Sequence, residues 1–519
     1  MWPYPEVRTL GDVPAYFGRH DSDRVALIAN GRKVTFKALD EVASQVADHL
    51  TSRGAATGDR IAFFGKNSVD FYYALFGVAK TRSCFTPLSW RLSVAELADQ
   101  IKDSATRLAI VERECQAPWE EACRLAGAAV DTILIDAADT LEGQVGTHSS
   151  THSTIATSED DGAIQLYTSG TTGRSKGVIL THGGINRMRL CEHLEPAYDW
   201  QAGDSFINPL PNFHLLHIGI AMQCLYNGVS ITVVRQFDPA AVLAAIARER
   251  PSLLTLTPTM LQMLLDHPDA ATTDFSSLRL TLYAGSPISL GLIKRAIGMM
   301  PCRFMQFYGA TEAGGAFSIL RPDEHDLSDE QRLQSCGRPL PLIEFRVVDE
   351  HGVDVPVGEP GELVIRSPAI MGGYWKQEDA TQLALNGGWY RSGDVARRDE
   401  QGLYYIVDRL KDMIVSGGEN IYSAEIENVL STHPGVGAVA VIGVPDARWG
   451  EAVKAIVIPK PGAACEVEDL LAFCRERLAA YKIPKSVDFI DAFPLVASGK
   501  VSKKDLRARY WEGAARSVA

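Results

Sequence analysis

The sequence lacks long hydrophobic runs, basic clusters and paired cysteine motifs, and each absence removes a class of protein. No uninterrupted apolar stretch approaches the ~20 residues of a membrane-spanning helix. The opening MWPYPEVRTLGD carries Glu6 and Asp12 where a signal peptide needs an apolar segment. A cytoplasmic chain without an integral membrane span is therefore expected. Lysine and arginine number 51 against 64 acidic residues, a formal net charge of −13, and they form no run. Phosphate-backbone binding needs clustered cations, so a nucleic-acid partner is not expected. The nine cysteines (84, 115, 123, 191, 224, 302, 336, 465 and 474) are odd in number and scattered, with no Cys-x-x-Cys pair and no histidine at metal-finger spacing. They read as buried free thiols. Internal repeats and low-complexity tracts are also missing.

What remains is the balance of a folded protein, 46% apolar and 22% charged. At 519 residues the chain is too long for one ordinary core, and two or three domains are expected. DRIAFFG (59–65), TRLAIVE (106–112), VDTILID (130–136) and VSITVV (229–234) are short β-branched runs separated by helical patterns. In FKALDEVASQVADHLTSRG (36–54), Leu39, Val42, Val46 and Leu50 form an apolar stripe and Gly54 a stop. Alternating strand and helix predicts an α/β fold with parallel sheets covered on both faces. From about residue 340, strands closed by Gly and Asp turns predict hairpins in a small barrel or layered sheet. A final region, roughly 411–519, reads helix, strand, strand, helix and has the size of an independent α+β domain.

The segment LYTSGTTGRSKG (166–177) sits between the strand-like runs AIQLY and GVILTH. Its glycines free the backbone to approach an anion, its hydroxyls supply donors and Lys176 a point charge. Walker spacing fails, because four residues after Gly170 comes Ser175. Taken alone, the segment fits a triphosphate cradle and a solvated hairpin loop equally well.

Further motifs decide. LYTSGTTGRSKGV is followed by PNFHLLH (211–217), YAGSPIS (283–289), QFYGATEAGG (306–315), GYW (373–375), WYRSGDVARRD (389–399), DRLKDMIVSGGENIYSAEIE (408–427) and FPLVASGKVSKKDLR (493–507). In this order they resemble the adenylate-forming superfamily of acyl- and aryl-CoA synthetases, peptide-synthetase adenylation domains and firefly-type luciferases, over nearly the whole chain. The resemblance implies a large N-terminal domain (1–408), a hinge (409–411) and a small mobile C-terminal domain (412–519). It implies a two-step reaction in which a carboxylate attacks the α-phosphorus of ATP, and a thiol then takes the acyl group from the adenylate.

By the same resemblance, Thr168, Ser169, Gly170, Thr171, Thr172, Gly173 and Lys176 hold the β- and γ-phosphates. Glu312 holds Mg²⁺ and Thr311 bonds the α-phosphate. Asp394 accepts the ribose hydroxyls beside Arg409, Tyr308 stacks on adenine next to Gly309, and Gly285, Ser286 and Pro287 line its other side. Lys500 reaches in from the small domain to bridge carboxylate and phosphate oxygens. Lys411 marks the hinge, Ser416, Gly417 and Gly418 the CoA channel, and His214 the gate of the acyl pocket. Each has a plain alternative: Asp394 as a turn residue, Tyr308 and His214 as core, Glu312 as a loop carboxylate, Gly417 and Gly418 as a tight turn.

The GGENIYSAEIE form resembles CoA ligases of the 4-coumarate, chlorobenzoate and medium- or long-chain fatty-acid type. A CoA ligase using ATP, Mg²⁺ and CoA on a small carboxylic acid is the leading expectation, and a homodimer is compatible with it. A stand-alone enzyme loading a carrier-protein phosphopantetheine thiol is the alternative. Ala310 and the AGSPIS form depart from many relatives at the acyl pocket, so aryl and fatty acids both remain open.

Overall fold

The computed structural model describes residues 4–150, 157–169, 175–201, 203–417, 419–495 and 501–511. Arg60–Phe64, Cys84–Leu88, Leu108–Glu112 and Asp131–Ile135 pair in parallel within a seven-stranded sheet. Every residue of the first three strands is buried. Their continuous apolar character, rather than an alternating one, follows from helices lying on both faces. The helix Phe36–Ser52 buries the predicted stripe of Leu39, Val42, Val46 and Leu50. Thr35 accepts from Ala38 N to start it, and Gly54, at φ +86°, lies just past its end.

A second sheet of nine strands has Val25–Ala29, Ser230–Val233, Ser205–Asn208, Leu253–Leu256, Leu280–Ala284 and Arg303–Ala310 as its parallel centre. Buried Asn67 ties the two sheets together. Its Nδ2 donates to Leu210 O and Val234 O, both at 2.8 Å, and its Oδ1 accepts from Asn212 N at 3.1 Å. A buried amide with these partners satisfied fixes the loop entering PNFH rather than destabilising it.

The expected hairpin region forms an antiparallel sheet of Glu344–Val348, Gly361–Arg366, Trp389–Arg398, Tyr404–Arg409 and the short Leu385–Asn386. The chain then passes through the turn Leu410–Asp412 into a last sheet of Ile414–Ser416, Glu419–Ile421, Val436–Asp446, Gly450–Pro459 and Ser486–Phe489. Its core is separate, built on Ile414, Ile426, Leu430, Val441 and Leu470. All nine cysteines are free, six of them buried and three half-buried. Among the described residues no helix is long and apolar enough to cross a membrane.

Gly337 joins the nine-stranded sheet to the antiparallel one. Tyr404 N donates to Gly337 O at 3.0 Å, at the start of the strand that ends in Arg409. Gly337 has φ +75°, and a Cβ there would lie 1.7 Å from Ile319 O. Gly337→Ala should lower stability by about 3 kcal/mol or more, since both the backbone conformation and a main-chain clash oppose it. Gly402→Ala, also at positive φ but with nothing within 4 Å, should cost only about 1 kcal/mol. Urea unfolding of both variants checks this, and equal losses would contradict it.

Candidate active site

The glycine-rich segment is a hairpin. Gly162–Ser169 pairs antiparallel with Ser175–Thr181, placing Thr168 opposite Lys176 and Ser169 opposite Ser175. Gly170, Thr171, Thr172 and Gly173 lie outside the described residues. Gly373–Tyr374 adds to the second strand, with Gly372 N donating to Ile179 O (2.8 Å) and Trp375 N to Gly177 O (2.7 Å). Gly177 has no room for a side chain, because a Cβ would meet Gln165 Nε2 at 2.6 Å and Trp375 Cβ at 3.3 Å. The indole is pinned in turn: Nε1 donates to Asp103 O at 3.0 Å and the Arg60 guanidinium lies 3.3 Å above the ring.

This docking brings distant residues together. The Tyr374 hydroxyl donates to Glu312 Oε1 at 2.8 Å, and Lys176 Nζ lies 4.7 Å from the Tyr374 ring centroid. Glu312 is 9% exposed, in a short turn Thr311–Ala313 closed by Gly314 at φ +67°. Tyr374 is raised by burial and then by the Glu312 charge, so it remains a hydroxyl donor. Lysine, phenol and carboxylate from three parts of the chain thus line one edge of the glycine-rich hairpin. Tyr374 had no assigned role in the sequence; its only signal was membership of GYW. A carboxylate with one oxygen engaged, beside a threonine hydroxyl, is a hard-oxygen set of the kind that suits Mg²⁺.

A second group forms around Asp394, which is also 9% exposed. Tyr308 OH donates to Asp394 Oδ2 at 2.6 Å, and Arg409 Nε lies 3.4 Å from Oδ1 across paired strands. Burial, then the Asp394 charge, pushes the Tyr308 phenol up, while Asp394 holds the half-exposed Arg409 guanidinium more firmly protonated. Asp394 is therefore an oriented carboxylate and not merely a turn residue. Gly309 cannot carry a side chain, since a Cβ would lie 2.3 Å from Gly315 O. Gly285, Ser286 and Pro287 follow the parallel strand Leu280–Ala284, with Gly285 at φ +94° and Gly285 and Pro287 exposed. Ligands of parallel α/β sheets gather outside such carboxyl ends.

PNFHLLH contains two histidines with different roles. His214 is half-buried, precedes the helix Leu215–Tyr226 and packs its ring 4.6 Å from Phe213. His217 is the core histidine: Nδ1 donates to Leu210 O at 2.7 Å and Tyr72 OH donates to Nε2 at 3.2 Å. Burial lowers it to about 4.

The expected hinge and thiol-channel residues lie at the junction and beyond it. Lys411, in the turn after Arg409, is lowered by burial and then by Arg409. Asp412 pairs with Arg507 at 2.8 Å, and Asp408 accepts from Ser423 Oγ at 2.7 Å, so both sides of the turn are tied to the last domain. Ser416 pairs with Glu419 across a two-residue turn, where Gly417 has φ +61° and a Cβ would meet the Trp449 ring at 2.6 Å. The turn geometry alone accounts for Gly417. Gly418 and Lys500 lie outside the described residues.

Tyr374→Phe should lower stability by about 1 kcal/mol, through the lost hydrogen bond to a partly solvated carboxylate, while leaving the ring under Lys176. An unchanged urea midpoint would contradict the contact. His182, His217 and His325 are each lowered by burial to about 4. Above pH ~6.5 they are neutral in both folded and unfolded states. Below it the unfolded chain binds protons that the native state refuses, so each removes about 1.4 kcal/mol per pH unit until pH nears 4. Half-buried Asp70 and buried Glu192, raised to about 6 and about 7, titrate in the opposite sense in this window. The measurement is therefore a difference: between pH 7.5 and 5, His325→Gln should lose less stability than the unsubstituted protein.

Comparison with known proteins places these geometries in a family. The sequence model of the AMP-binding enzyme matches residues 16–375, and that of the AMP-binding enzyme C-terminal domain matches residues 425–500. The chain is 36% identical over 518 residues, 99% of each chain, to the fatty acid–[acyl-carrier-protein] ligase ScoC of Streptomyces coeruleorubidus. It is 37% identical to a feruloyl-CoA synthase of an Amycolatopsis species, over 96% of this chain and 99% of that one. Among solved structures, ATP-bound MatB from Rhodopseudomonas palustris superposes with a TM-score of 0.88 at 29% identity, covering 96% of this chain and 99% of the other. With a family match across most of its length and a fold shared end to end, the chain belongs to the AMP-binding enzyme family.

Proposed function

We propose that the enzyme is an AMP-forming acid–thiol ligase that activates a carboxylic acid with ATP and transfers the acyl group to CoA. The observation that carries this reading is the convergence of Lys176, Tyr374 and Glu312 at the phosphate hairpin. In the first half, a carboxylate oxygen attacks the α-phosphorus, the bond to the bridging oxygen breaks and pyrophosphate leaves. Two anions must approach, so cations and oriented donors lower the barrier. Thr168, Ser169, Gly170, Thr171, Thr172, Gly173 and Lys176 take the β- and γ-phosphates, and Thr311 the α-phosphate. Glu312 would hold magnesium, which when bound would supply charge neutralisation there.

Asp394 takes the ribose hydroxyls, steadied by the Tyr308 hydroxyl and Arg409, while Tyr308, Gly309 and Gly285–Pro287 flank the adenine. Lys500 matches, by sequence, the lysine that bridges the reacting oxygens. In the second half, the thiol sulfur attacks the acyl carbon, the bond to the AMP oxygen breaks and AMP leaves. Rotation of the last domain about Lys411 brings Ser416, Gly417 and Gly418 to the thiol path, with His214 gating the acyl pocket. The Asp408–Ser423 contact crosses the hinge and opposes that rotation, while Asp412–Arg507 lies within the rotating domain and moves with it. A carrier-protein thiol is the second reading, favoured by the 36% identity to ScoC, a fatty acid–[acyl-carrier-protein] ligase.

A pyrophosphate-release screen over aromatic, cinnamic and fatty acids, with and without CoA, tests both. Thioester formation with free CoA supports the first reading; acid-dependent release that CoA never converts to thioester supports the second. Lys500→Ala should abolish pyrophosphate release, a loss of about 10²-fold or more for a charge at the transition state. The same variant should still form thioester from preformed acyl-adenylate, and equal loss of both halves would overturn the two-state assignment.

A further inference from the structure

Residues 371–375 hold Glu312 by its main chain as well as by its side chain. Met371 N donates to Glu312 O at 2.7 Å, and the Tyr374 hydroxyl donates to Glu312 Oε1 at 2.8 Å. The same segment is bonded to the hairpin strand at Ile179 O and Gly177 O, and Tyr374 N donates to Thr381 Oγ1 at 2.9 Å. The backbone on both sides of Tyr374 is thus fixed before its side chain reaches anything.

Lys176 approaches the same residue from the hairpin, with Nζ 4.7 Å from the ring centroid. Among the described residues neither Lys176 nor Glu312 has an ion-pair partner. Both contact the phenol, one at its ring and one at its hydroxyl, without pairing with each other. Opposite charges in a half-buried setting attract far more than in water, so something must keep these two apart. Burial and the Glu312 charge also push the phenol up, so its hydroxyl stays protonated and able to donate.

We propose that Tyr374 is a positioning residue for the metal–nucleotide complex: its hydroxyl fixes Glu312 by one oxygen and leaves the other for magnesium, and its ring keeps Lys176 from pairing with that carboxylate. This rests on the ligase reading above and adds to it a residue that acts through Glu312. A carboxylate oriented beforehand by an outer partner binds a metal more tightly, and loss of such a partner typically costs about 10- to 100-fold in affinity. A direct Lys176–Glu312 pair would have to be broken before the lysine could take phosphates and the carboxylate a metal.

The test is a binding cycle that needs no turnover. The unsubstituted enzyme and its variants are titrated calorimetrically with α,β-methylene-ATP, whose bridging carbon blocks pyrophosphate release, once with Mg²⁺ and once with EDTA. The ratio of the two dissociation constants measures what the metal adds. Y374F keeps the ring and loses the hydroxyl, so its ratio should shrink by roughly tenfold, with binding in EDTA unchanged. In E312Q the ratio should already be small, and Y374F added to E312Q should shrink it no further. Y374L loses the ring as well, which lets Lys176 close on Glu312, and its binding should weaken in EDTA too. G402A, a mild destabiliser elsewhere, should keep the full ratio. In turnover, Y374F should raise KM for MgATP and leave KM for the acid as it is. An unchanged ratio in Y374F, equal losses with and without Mg²⁺, or a further loss in the E312Q background overturns this role for Tyr374. A ratio of one in the unsubstituted enzyme removes the metal from Glu312 and the role with it. The expected ratios without acid-dependent pyrophosphate release uphold the role and overturn the ligase reading instead.

Discussion

The docking of Tyr374 and Trp375 onto the glycine-rich hairpin is the contact on which the candidate site depends. Without it, Lys176 and Glu312 belong to separate sheets, one on the seven-stranded and the other beside the nine-stranded. Backbone pairing to Ile179 and Gly177 sets the register, and the absence of a side chain at Gly177 lets the two strands close. Register then aims the Tyr374 hydroxyl at Glu312. A one-residue slip would turn that phenol to the opposite face.

The same economy recurs around Asp394. Asp394 and Arg409 face each other because their strands pair, and Tyr308 reaches Asp394 from the edge of the neighbouring sheet. Gly337 and Tyr404 stitch those sheets together. Asp394, Arg409 and Tyr308 thus sit on paired strands, whose hydrogen-bonded frames hold geometry more tightly than loops do. The junction differs: after Arg409 the chain has one short turn, and the next domain has its own core. Among the described residues, Asp408 reaches across that turn to Ser423 by hydrogen bonds, and the apolar cluster beyond it is its own.

Much of this was legible beforehand. The strand runs, the amphipathic helix 36–52, the hairpin texture after residue 340 and the separate last domain all follow from periodicity and turn residues, and the structure has them. Asp394 and Glu312 were legible as motif members. Other features were not. His217 differs from His214 only in what surrounds it, and nothing in PNFHLLH tells which is held neutral by burial, between Tyr72 and Leu210. Tyr374 could be read as part of GYW, but its partner lies 62 residues away.

Local pattern therefore determined the elements, the family and the kinds of side chain available, because helix and strand periods and turn chemistry are written within a few residues. Tertiary structure alone decided which of those side chains meet. Arg189 and Gly219 show why: thirty residues apart, on different helices, they look like one surface cation and one weak spot in a helix. Only packing buries the guanidinium against that glycine's carbonyl, in surroundings where a hydrogen bond weighs more than it does in water.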